Sequence, residues 1–281
     1  MKKRIVYLND VWIASDEGLL DQLKPWNLKG KGVFETFRSY AGRFFLLEEH
    51  LKRLNRGLER FHIEPPFSRN KIFHLLPEIL RVNQIKKTAR IRISVWKDKN
   101  KIQFSIVALP YQLFSQKQYQ NGFKALVFPK RLNRSINSSH IKSIDYQLNF
   151  KALRFAESRG CQEVIFLNKN NEITEGSRSN VFLIKEGKFL TPALKCGCLK
   201  GITRQMVIQL AKQVGIKVYQ KSLSLSDVLN CDEAFLTNSL LELMSLTEVN
   251  SQLLGQGTMG PITAFLLNKY RKVVKEKGCQ L

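Results

Sequence analysis

The chain has 281 residues, of which 43% are apolar and 25% charged, as in globular proteins that bury a sizeable core; this excludes disorder, and no apolar run is long enough to span a membrane. Its net charge of +23 permits binding to nucleic acid or to an anionic surface. The basic residues are spread along the chain without a block of like charges, so we expect a solvated basic surface that favours anionic substrates, and no nucleic-acid partner.

The N-terminal part of the chain is predicted to mix helices and strands. Alternating apolar residues predict a strand over residues 33–40. Apolar residues at spacings of four and three then predict an amphipathic helix over 47–61, and a second helix is predicted over 71–82. Alternation returns over 89–95, and residues 103–109 are the predicted antiparallel neighbour of that strand.

A polar, irregular stretch over residues 111–121 separates this part from the rest of the chain. We interpret that stretch as an interdomain linker. The prediction is therefore a small N-terminal domain over 1–110 and a larger domain over 122–281.

The second part of the chain alternates helices with strands. Asp145 is the predicted N-cap of a helix that Gly160 ends. A helix over 202–214 is stopped by Gly215, and a last helix is predicted from Pro261 to about Lys277. Strands are predicted over residues 163–167, 180–184, 216–219 and 234–237.

Two further features bear on chemistry and location. The five cysteines are odd in number and unevenly spaced, so they predict neither a disulfide framework nor a zinc site. The pair Cys196 and Cys198 could bind a metal or act in redox chemistry, but without a second Cys or His pair we expect free thiols and no metal. The N-terminal residues turn polar too early for a signal peptide, which predicts a cytoplasmic protein.

Three segments could together carry chemistry. Lys142 lies three residues before Asp145, at a strand end or in a tight loop, from which a lysine can point into a cleft. Glu175 follows a strand-like stretch, and Gly201-Ile202-Thr203-Arg204 opens a helix whose free N–H groups suit a phosphate. Taken alone, each has an ordinary alternative: a surface lysine, a turn glutamate or a simple helix start.

A lysine, a carboxylate and a helix N-terminus are what a protein needs to hold pyridoxal phosphate. Lys142 would form the Schiff base and then shuttle the proton at the substrate α-carbon. Glu175 would pair with the pyridinium nitrogen and make the ring an electron sink. The backbone N–H groups of Ile202 and Thr203 would bind the phosphate.

Three more side chains are candidates for the same site. Arg53, on the helix predicted over 47–61, could be the positive partner of the phosphate, and Tyr146 could bond the phenolic oxygen of the cofactor. Arg92, on the alternating strand over 89–95, could bind the substrate carboxylate. The alternatives stay open: a solvated arginine for Arg53 and Arg92, and a core aromatic for Tyr146.

As an ordered set, the segments resemble the class IV aminotransferase family, the fold-type IV pyridoxal-phosphate enzymes. That family includes branched-chain and D-amino-acid aminotransferases and 4-amino-4-deoxychorismate lyase. Any one motif is unspecific, but the ordered series spans nearly the whole chain and is specific. The motifs are Gly32–Thr36, Phe45–Leu54, Thr174–Ser177 with Asn180–Phe182, Gly201–Arg204, Asp232–Thr237 and Gly260–Thr263.

The resemblance implies a fold and further roles. The fold would be α+β and α/β, with a small N-terminal α+β domain and a larger domain built on a mixed sheet or barrel. By position, the resemblance supports the roles given above to Lys142, Glu175 and Arg53. It adds Ser239 as the hydroxyl residue that closes the phosphate cup and Phe34 as a substrate contact. It also implies a homodimer with active sites near the dimer interface.

The turn Asn238–Leu241 departs from part of the family pattern. It differs from the Gly-Thr-Ala turn of branched-chain enzymes and resembles lyase-like members. Against a lyase, lysine-rich residues 97–101 replace the segment rich in glycine and arginine that lyases carry. Asn238 and Arg92 are therefore the residues expected to contact the substrate and to choose between transfer and elimination.

The leading hypothesis is an amino acid aminotransferase, which moves an amino group between an amino acid and a 2-oxo acid through a Lys142 aldimine. The alternative is 4-amino-4-deoxychorismate lyase, which uses the same lysine to form 4-aminobenzoate and pyruvate. A more remote alternative is a non-catalytic homologue that binds anions or nucleic acid; the presence of both Lys142 and Glu175 argues against it.

Overall fold

The computed structural model describes residues 3–132, 141–277 and 279–280, which form two compact units. The first unit takes in the described residues of Met1–Leu113, Ile141–Gln147 and Glu276–Leu281, and the second those of Phe114–His140 and Leu148–Lys275. Within the described ranges, no helix has both the length and the apolar character that crossing a membrane requires.

Strands and helices are distributed over the full length of the described part of the chain. The strands are β1 (Arg4–Leu8), β2 (Val11–Ser15), β3 (Lys31–Tyr40), β4 (Arg43–Phe44), β5 (Thr88–Asp98), β6 (Lys101–Pro110), β7 (Phe123–Val127), β8 (Glu163–Leu167), β9 (Ile173–Gly176), β10 (Asn180–Lys185), β11 (Lys188–Pro192), β12 (Val218–Lys221), β13 (Glu233–Asn238), β14 (Glu242–Val249), β15 (Gln252–Leu253) and β16 (Cys279–Gln280). The helices are α1 (Glu17–Gln22), α2 (Leu47–Arg60), α3 (Arg69–Val82), α4 (Gln116–Asn121), α5 (Gln147–Glu157), α6 (Ile202–Gln213), α7 (Leu225–Leu229) and α8 (Pro261–Lys277), with short 3₁₀ turns over Pro25–Asn27 and Leu194–Cys196.

A seven-stranded sheet in the order β16-β4-β3-β5-β6-β1-β2 forms the centre of the first unit. Its pairings are antiparallel, and β3, β5 and β6 make the long middle ladder. Because side chains alternate along each strand, Phe34 and Thr36 share one face and lie opposite Ser94 and Arg92 of β5.

Helices α2 and α3 cover the other face of this sheet. Helix α2 buries Leu47, Leu51, Leu54 and Leu58, which repeat at spacings of four and three and so form one apolar stripe. Each buried leucine contributes roughly 2 kcal/mol of hydrophobic stabilisation. The stripe therefore fixes α2, and with it Arg53, against β3.

The second unit is built on a mixed sheet. Its strands run in the order β12-β11-β10-β13-β14-β7-β8-β9, and β15 pairs with β14 off this path. The parallel strands β7 and β8 are joined through α5, as parallel pairs require a crossover. Phe182 of β10 and Phe235 of β13 stack in the core with ring centroids 5.0 Å apart.

The helices and strands predicted from the sequence are confirmed, with ends that differ by a few residues. Three local predictions are wrong. Helix α5 begins at Gln147, so Asp145 lies two residues before it and is not its N-cap. Residues 116–121 of the predicted irregular linker form α4, whose capping box joins Ser115 and Gln118. Glu175 lies inside strand β9 and does not follow a strand.

The segment 141–147 packs with the first unit, whereas the predicted larger domain over 122–281 includes it. The reason is a backbone bridge between Ser143 and Val33 of β3, which sequence periodicity does not reveal. As a division into domains, the boundaries at 1–110, 111–121 and 122–281 stay a prediction.

Candidate active site

The backbone of Lys142 is held against the first residues of β3. The Phe34 N–H donates a hydrogen bond to the Lys142 carbonyl (2.9 Å), and the Ile144 N–H donates to the Gly32 carbonyl (3.1 Å). Residues 142–144 thereby extend the sheet at the free edge of β3, in agreement with the predicted strand-end position. These ladder bonds fix the main chain from which the amine projects.

The Lys142 side chain lies among aromatic rings. Its Nζ is 4.7 Å from the ring centre of Phe34 and 5.4 Å from that of Tyr146, and the two rings meet edge to face. Aromatic faces attract a cation, so these rings orient the amine. Lys142 is half-buried, which excludes the alternative that it is a solvated surface lysine. The structure thus brings together three of the predicted site residues.

A buried carboxylate, Glu35, lies on the opposite face of β3 from Phe34. Its oxygens accept hydrogen bonds from Arg53 Nε (2.6 Å), Arg53 Nη2 (2.7 Å) and His50 Nδ1 (2.7 Å). The Arg53 side chain is only 10% exposed, so it is not a solvated arginine. Glu35 clamps the guanidinium in one orientation, because a planar fork bound at two nitrogens cannot rotate.

The charges in this cluster shift the pKa values of its members. Burial would raise the pKa of Glu35, but Arg53 and His50 lower it to about 2, so the carboxylate is ionised. Burial lowers the pKa of His50, Glu35 raises it, and the charges of Arg53 and Lys142 lower it again; the net direction is down. Sequence analysis missed both residues. The available signal was a glutamate at an inward-facing position of β3.

We expect Glu35→Gln to destabilise the protein at neutral pH by about 3 kcal/mol, because it leaves a buried arginine without its counter-charge. The folded-state pKa of Glu35 lies near 2 against an ordinary 4.5, so its stabilisation is present above pH 4.5 and is lost as pH falls towards 2. The free energy of unfolding, measured with urea from neutral to acid pH, should therefore depend less steeply on pH in the variant than in the wild type. Glu59→Gln, at an exposed position of α2, is the matched control; equal acid sensitivity in wild type and Glu35→Gln would refute this role.

Arg92 is buried in the sheet, and the described carboxylates form no ion pair with it. It is 4% exposed, and its Nε finds no hydrogen-bond partner among the described residues. Burial, with the charge of Arg90, lowers its pKa to about 9. The solvated strand arginine is thus excluded. A buried guanidinium of this kind is suited to an anionic ligand, since an uncompensated internal charge is otherwise costly.

In the second unit, Glu175 is connected to the start of α6. Its Oε2 accepts a hydrogen bond from the Leu199 N–H (2.7 Å). The Leu199 carbonyl accepts from Asn180 Nδ2 and from the Gly201 N–H, both at 2.8 Å. The N–H and carbonyl groups of Leu199 therefore connect Glu175, the predicted partner of the ring nitrogen, to the start of α6, the predicted phosphate site.

The N-terminus of α6 is shaped to approach a ligand closely. Gly201 is the N-cap, and no described side chain caps this end. A Cβ on Gly201 would collide with Asn180 Oδ1, so glycine lets the Asn180 amide lie directly against this turn. The first-turn N–H groups of Ile202 and Thr203 have no partner within the helix, and the helix dipole favours an anion there.

Two turns of the second unit carry the other predicted residues. Asn238 is the last residue of β13, Ser239 follows it, and both are half-buried. The turn after Glu175 is held by Glu163, a buried carboxylate that accepts hydrogen bonds from the Ser177 N–H (2.8 Å), the Ser177 hydroxyl and the Ser179 hydroxyl (2.8 Å). Sequence analysis missed Glu163. The predicted residues thus form two groups, one in each unit.

Known proteins resemble this chain over nearly its full length. The sequence model of the family described as Amino-transferase class IV matches residues 32–249. The aminodeoxychorismate lyase of Bacillus subtilis is 33% identical, with 98% of this chain and 97% of that protein covered. The branched-chain aminotransferase of Thermoproteus uzoniensis, solved with norvaline, is 28% identical and superposes with a TM-score of 0.85 over 98% of this chain and 96% of that one. The predicted fold-type IV architecture is confirmed.

Proposed function

Because this chain belongs to the amino-transferase class IV family, we propose that it is a pyridoxal-phosphate enzyme that transfers an amino group between an amino acid and a 2-oxo acid. The observation that carries the proposal is Lys142. Its main chain is fixed at the edge of β3, and its amine lies beside Phe34 and Tyr146. A dispersed surface lysine would have neither feature.

The residues present fit the cofactor. The start of α6, where no described side chain caps the helix and Gly201 lies directly against the Asn180 amide, suits a phosphate. Glu175 is a buried carboxylate of the kind that keeps a ring nitrogen protonated. When bound, pyridoxal phosphate supplies an electron sink for the bonds at the substrate α-carbon.

We assign the holding of the phosphate to the backbone of Ile202 and Thr203, the guanidinium of Arg53 and the hydroxyl of Ser239. The clamp of Glu35 on Arg53 supports this, because a pre-oriented guanidinium loses little entropy when it binds an anion. Tyr146 is assigned to the phenolic oxygen.

Lys142 has the second task of moving a proton. A neutral lysine amine can accept a proton and the resulting ammonium can release it, so Lys142 Nζ is the group that would take up the α-proton of the substrate and later release it. The rings of Phe34 and Tyr146 limit the water around the amine. The hydrogen bonds of the Lys142 main chain to β3 leave side-chain rotation as the motion that places Nζ.

Arg92 is assigned to the carboxylate of the substrate. Every amino acid and 2-oxo acid carries this group, and Arg92 is a buried cation whose Nε lacks a hydrogen-bond partner in the described part of the chain. A charge-assisted hydrogen bond to the carboxylate would satisfy that donor. Phe34, next to Lys142, is assigned to the apolar part of the substrate.

A second candidate is cleavage of 4-amino-4-deoxychorismate to 4-aminobenzoate and pyruvate. Two observations favour it: the Asn238–Ser239 turn, and the 33% identity to the Bacillus subtilis protein named aminodeoxychorismate lyase. Both reactions need the same lysine and cofactor. They differ in the bonds that break. Both reactions break the C–H bond at the carbon that bears the amino group, and the lyase reaction also breaks the bond that releases pyruvate.

One incubation series separates the two candidates. The protein loaded with pyridoxal phosphate is mixed with L-leucine, L-glutamate or D-alanine alone, and separately with aminodeoxychorismate alone. Transfer predicts conversion of the cofactor to pyridoxamine phosphate and release of a 2-oxo acid. Lyase activity predicts pyruvate from aminodeoxychorismate without an amino donor. Neither product in any mixture would overturn both candidates.

Assembly and location are further proposals. We propose a homodimer, as the family resemblance implies, and sedimentation velocity of the purified protein tests it. We also propose a cytoplasmic location. We propose that no nucleic acid is a partner, because the basic residues form no block along the chain. Salt-sensitive binding to duplex DNA would contradict the last point.

A further inference from the structure

Strand β9 is irregular at the residue assigned to the ring nitrogen. Its register against β8 shifts by one residue between Ile173 and Gly176. Two residues of β9, Thr174 and Glu175, therefore lie opposite the single residue Phe166 of β8. A bulge of this kind breaks the alternation of side chains along a strand and re-aims one of them. The direction of the Glu175 carboxylate thus depends on how the bulge is held.

Hydrogen bonds to β8 hold both ends of this bulge. At its start, the Thr174 hydroxyl donates to the Phe166 carbonyl (3.1 Å). Beyond its end, Glu163 accepts hydrogen bonds from the Ser177 N–H (2.8 Å), the Ser177 hydroxyl and the Ser179 hydroxyl (2.8 Å). Glu163 is 0% exposed, so these bonds lie in a low-dielectric interior, where they are stronger than at the surface.

The turn that follows the bulge packs directly on the Glu163 carboxyl group. A Cβ on Gly176 would collide with that group and with Ser179 Oγ. The Gly176 N–H donates to the Ser179 carbonyl (2.7 Å), which closes the turn. From α5, Asn149 Nδ2 donates to the Ser177 carbonyl (2.7 Å). The segment after the bulge is therefore fixed from β8 and from α5.

We propose that Glu163 is a positioning residue of the cofactor site: by holding the turn after β9, it keeps the bulge that directs the Glu175 carboxylate to the ring nitrogen of pyridoxal phosphate. This rests on the proposed function, in which Glu175 pairs with that nitrogen. Glu163 acts through Glu175 and has no contact of its own with the cofactor. Because a hydrogen bond weakens steeply as its angle departs from linear, a small shift of the bulge would weaken the pairing.

Two cofactor probes separate positioning from a general effect on folding. Pyridoxal phosphate has the ring nitrogen, whereas 1-deazapyridoxal phosphate has a C–H group in its place and the same aldehyde and phosphate. We expect the cofactor-free wild type to bind pyridoxal phosphate about ten times more tightly than the analogue, as for one hydrogen bond to a charged group. Glu163→Leu should reduce that preference to about twofold, because the turn loses the acceptor that its donors share. Equilibrium dialysis gives both dissociation constants.

Two variants serve as controls for the loss of the Glu163 carboxylate. Glu163→Gln keeps an acceptor oxygen for Ser177 and offers an N–H group that the Ser179 hydroxyl can accept, so it should retain most of the preference. Glu233→Leu is the matched control. Glu233 is also buried and accepts hydrogen bonds from two N–H groups and a hydroxyl, but these lie at the start of α8. Its loss should leave the preference at the wild-type value.

Ser179→Ala is a milder change that keeps the test valid if Glu163→Leu does not fold. It removes one donor to Glu163 and should lower the preference about threefold. A wild-type preference in folded Glu163→Leu, or in Ser179→Ala, overturns this inference alone and leaves Glu163 a structural residue. Failure of the proposed function shows in the wild type itself: no binding of pyridoxal phosphate, or equal binding of both compounds, overturns that function and this inference with it.

Discussion

Lys142→Ala is expected to lower turnover by about 10²- to 10⁴-fold, the range for loss of a group that moves the proton, or more if it is also the covalent anchor. The amine is the only titratable group of this side chain, and alanine also removes the cation that lies beside Phe34 and Tyr146. Steady-state rates with the substrate that the incubation series identifies, together with the absorbance spectrum after addition of pyridoxal phosphate, measure the effect.

The control for this variant is Lys151→Ala, which removes an exposed lysine of α5. It should leave both rate and spectrum unchanged. Ethylamine added to Lys142→Ala should restore part of the rate, because a free amine can replace the missing base. A Lys142→Ala protein with wild-type turnover would remove this residue from the mechanism.

Arg92→Met is expected to make the protein more stable and less able to bind its substrate. The change replaces a buried cation, 4% exposed, by an unbranched apolar side chain of similar length. Removal of a buried charge of this kind stabilises a fold by about 1 kcal/mol or more. Loss of a charge-assisted hydrogen bond to the carboxylate should raise KM by about 10- to 100-fold.

Higher stability together with a higher KM would distinguish a substrate-binding role of Arg92 from a purely structural one. Urea unfolding gives the stability, and initial rates against substrate concentration give KM and kcat. Arg56→Met, on an exposed position of α2, should change neither. An Arg92→Met protein that was less stable than wild type and had an unchanged KM would show that the arginine is a structural element.

Local order along the chain could be predicted well because it depends on periodicity. The leucines of α2 repeat at helical spacing, and β5 alternates, so both elements follow from the sequence. Lys142, Glu175 and the start of α6 were found because an ordered set of motifs surrounds them. What the motifs do not reveal is which of their members contact one another.

Glu35 shows why the rest could not be predicted. Its partners Arg53 and His50 come from a different element, and the burial that makes the cluster strong exists only after α2 has packed on β3. For Arg92, the alternation of β5 predicts the face of the strand on which it lies but not what covers that face. The sequence therefore did not exclude a solvated arginine. The position of residues 142–144 on β3 is likewise a tertiary contact.

The Asn238 turn lies between these cases. An asparagine that bonds the backbone N–H groups two and three residues later is a local pattern, and it could have been predicted from the residue type alone. The prediction of a substrate contact instead came from the family resemblance. In the structure, the amide oxygen of Asn238 accepts hydrogen bonds from the Leu240 and Leu241 N–H groups.

The most direct test of the proposed function is to locate the covalent bond. Protein loaded with one equivalent of pyridoxal phosphate is reduced with borohydride, digested and mapped by mass spectrometry. Because the chain has 29 lysines, each of which can form a reducible aldimine, unspecific reaction would scatter the label over many peptides. The proposal predicts a single labelled residue, Lys142. A label spread over exposed lysines, or fixed at a different lysine, would contradict it.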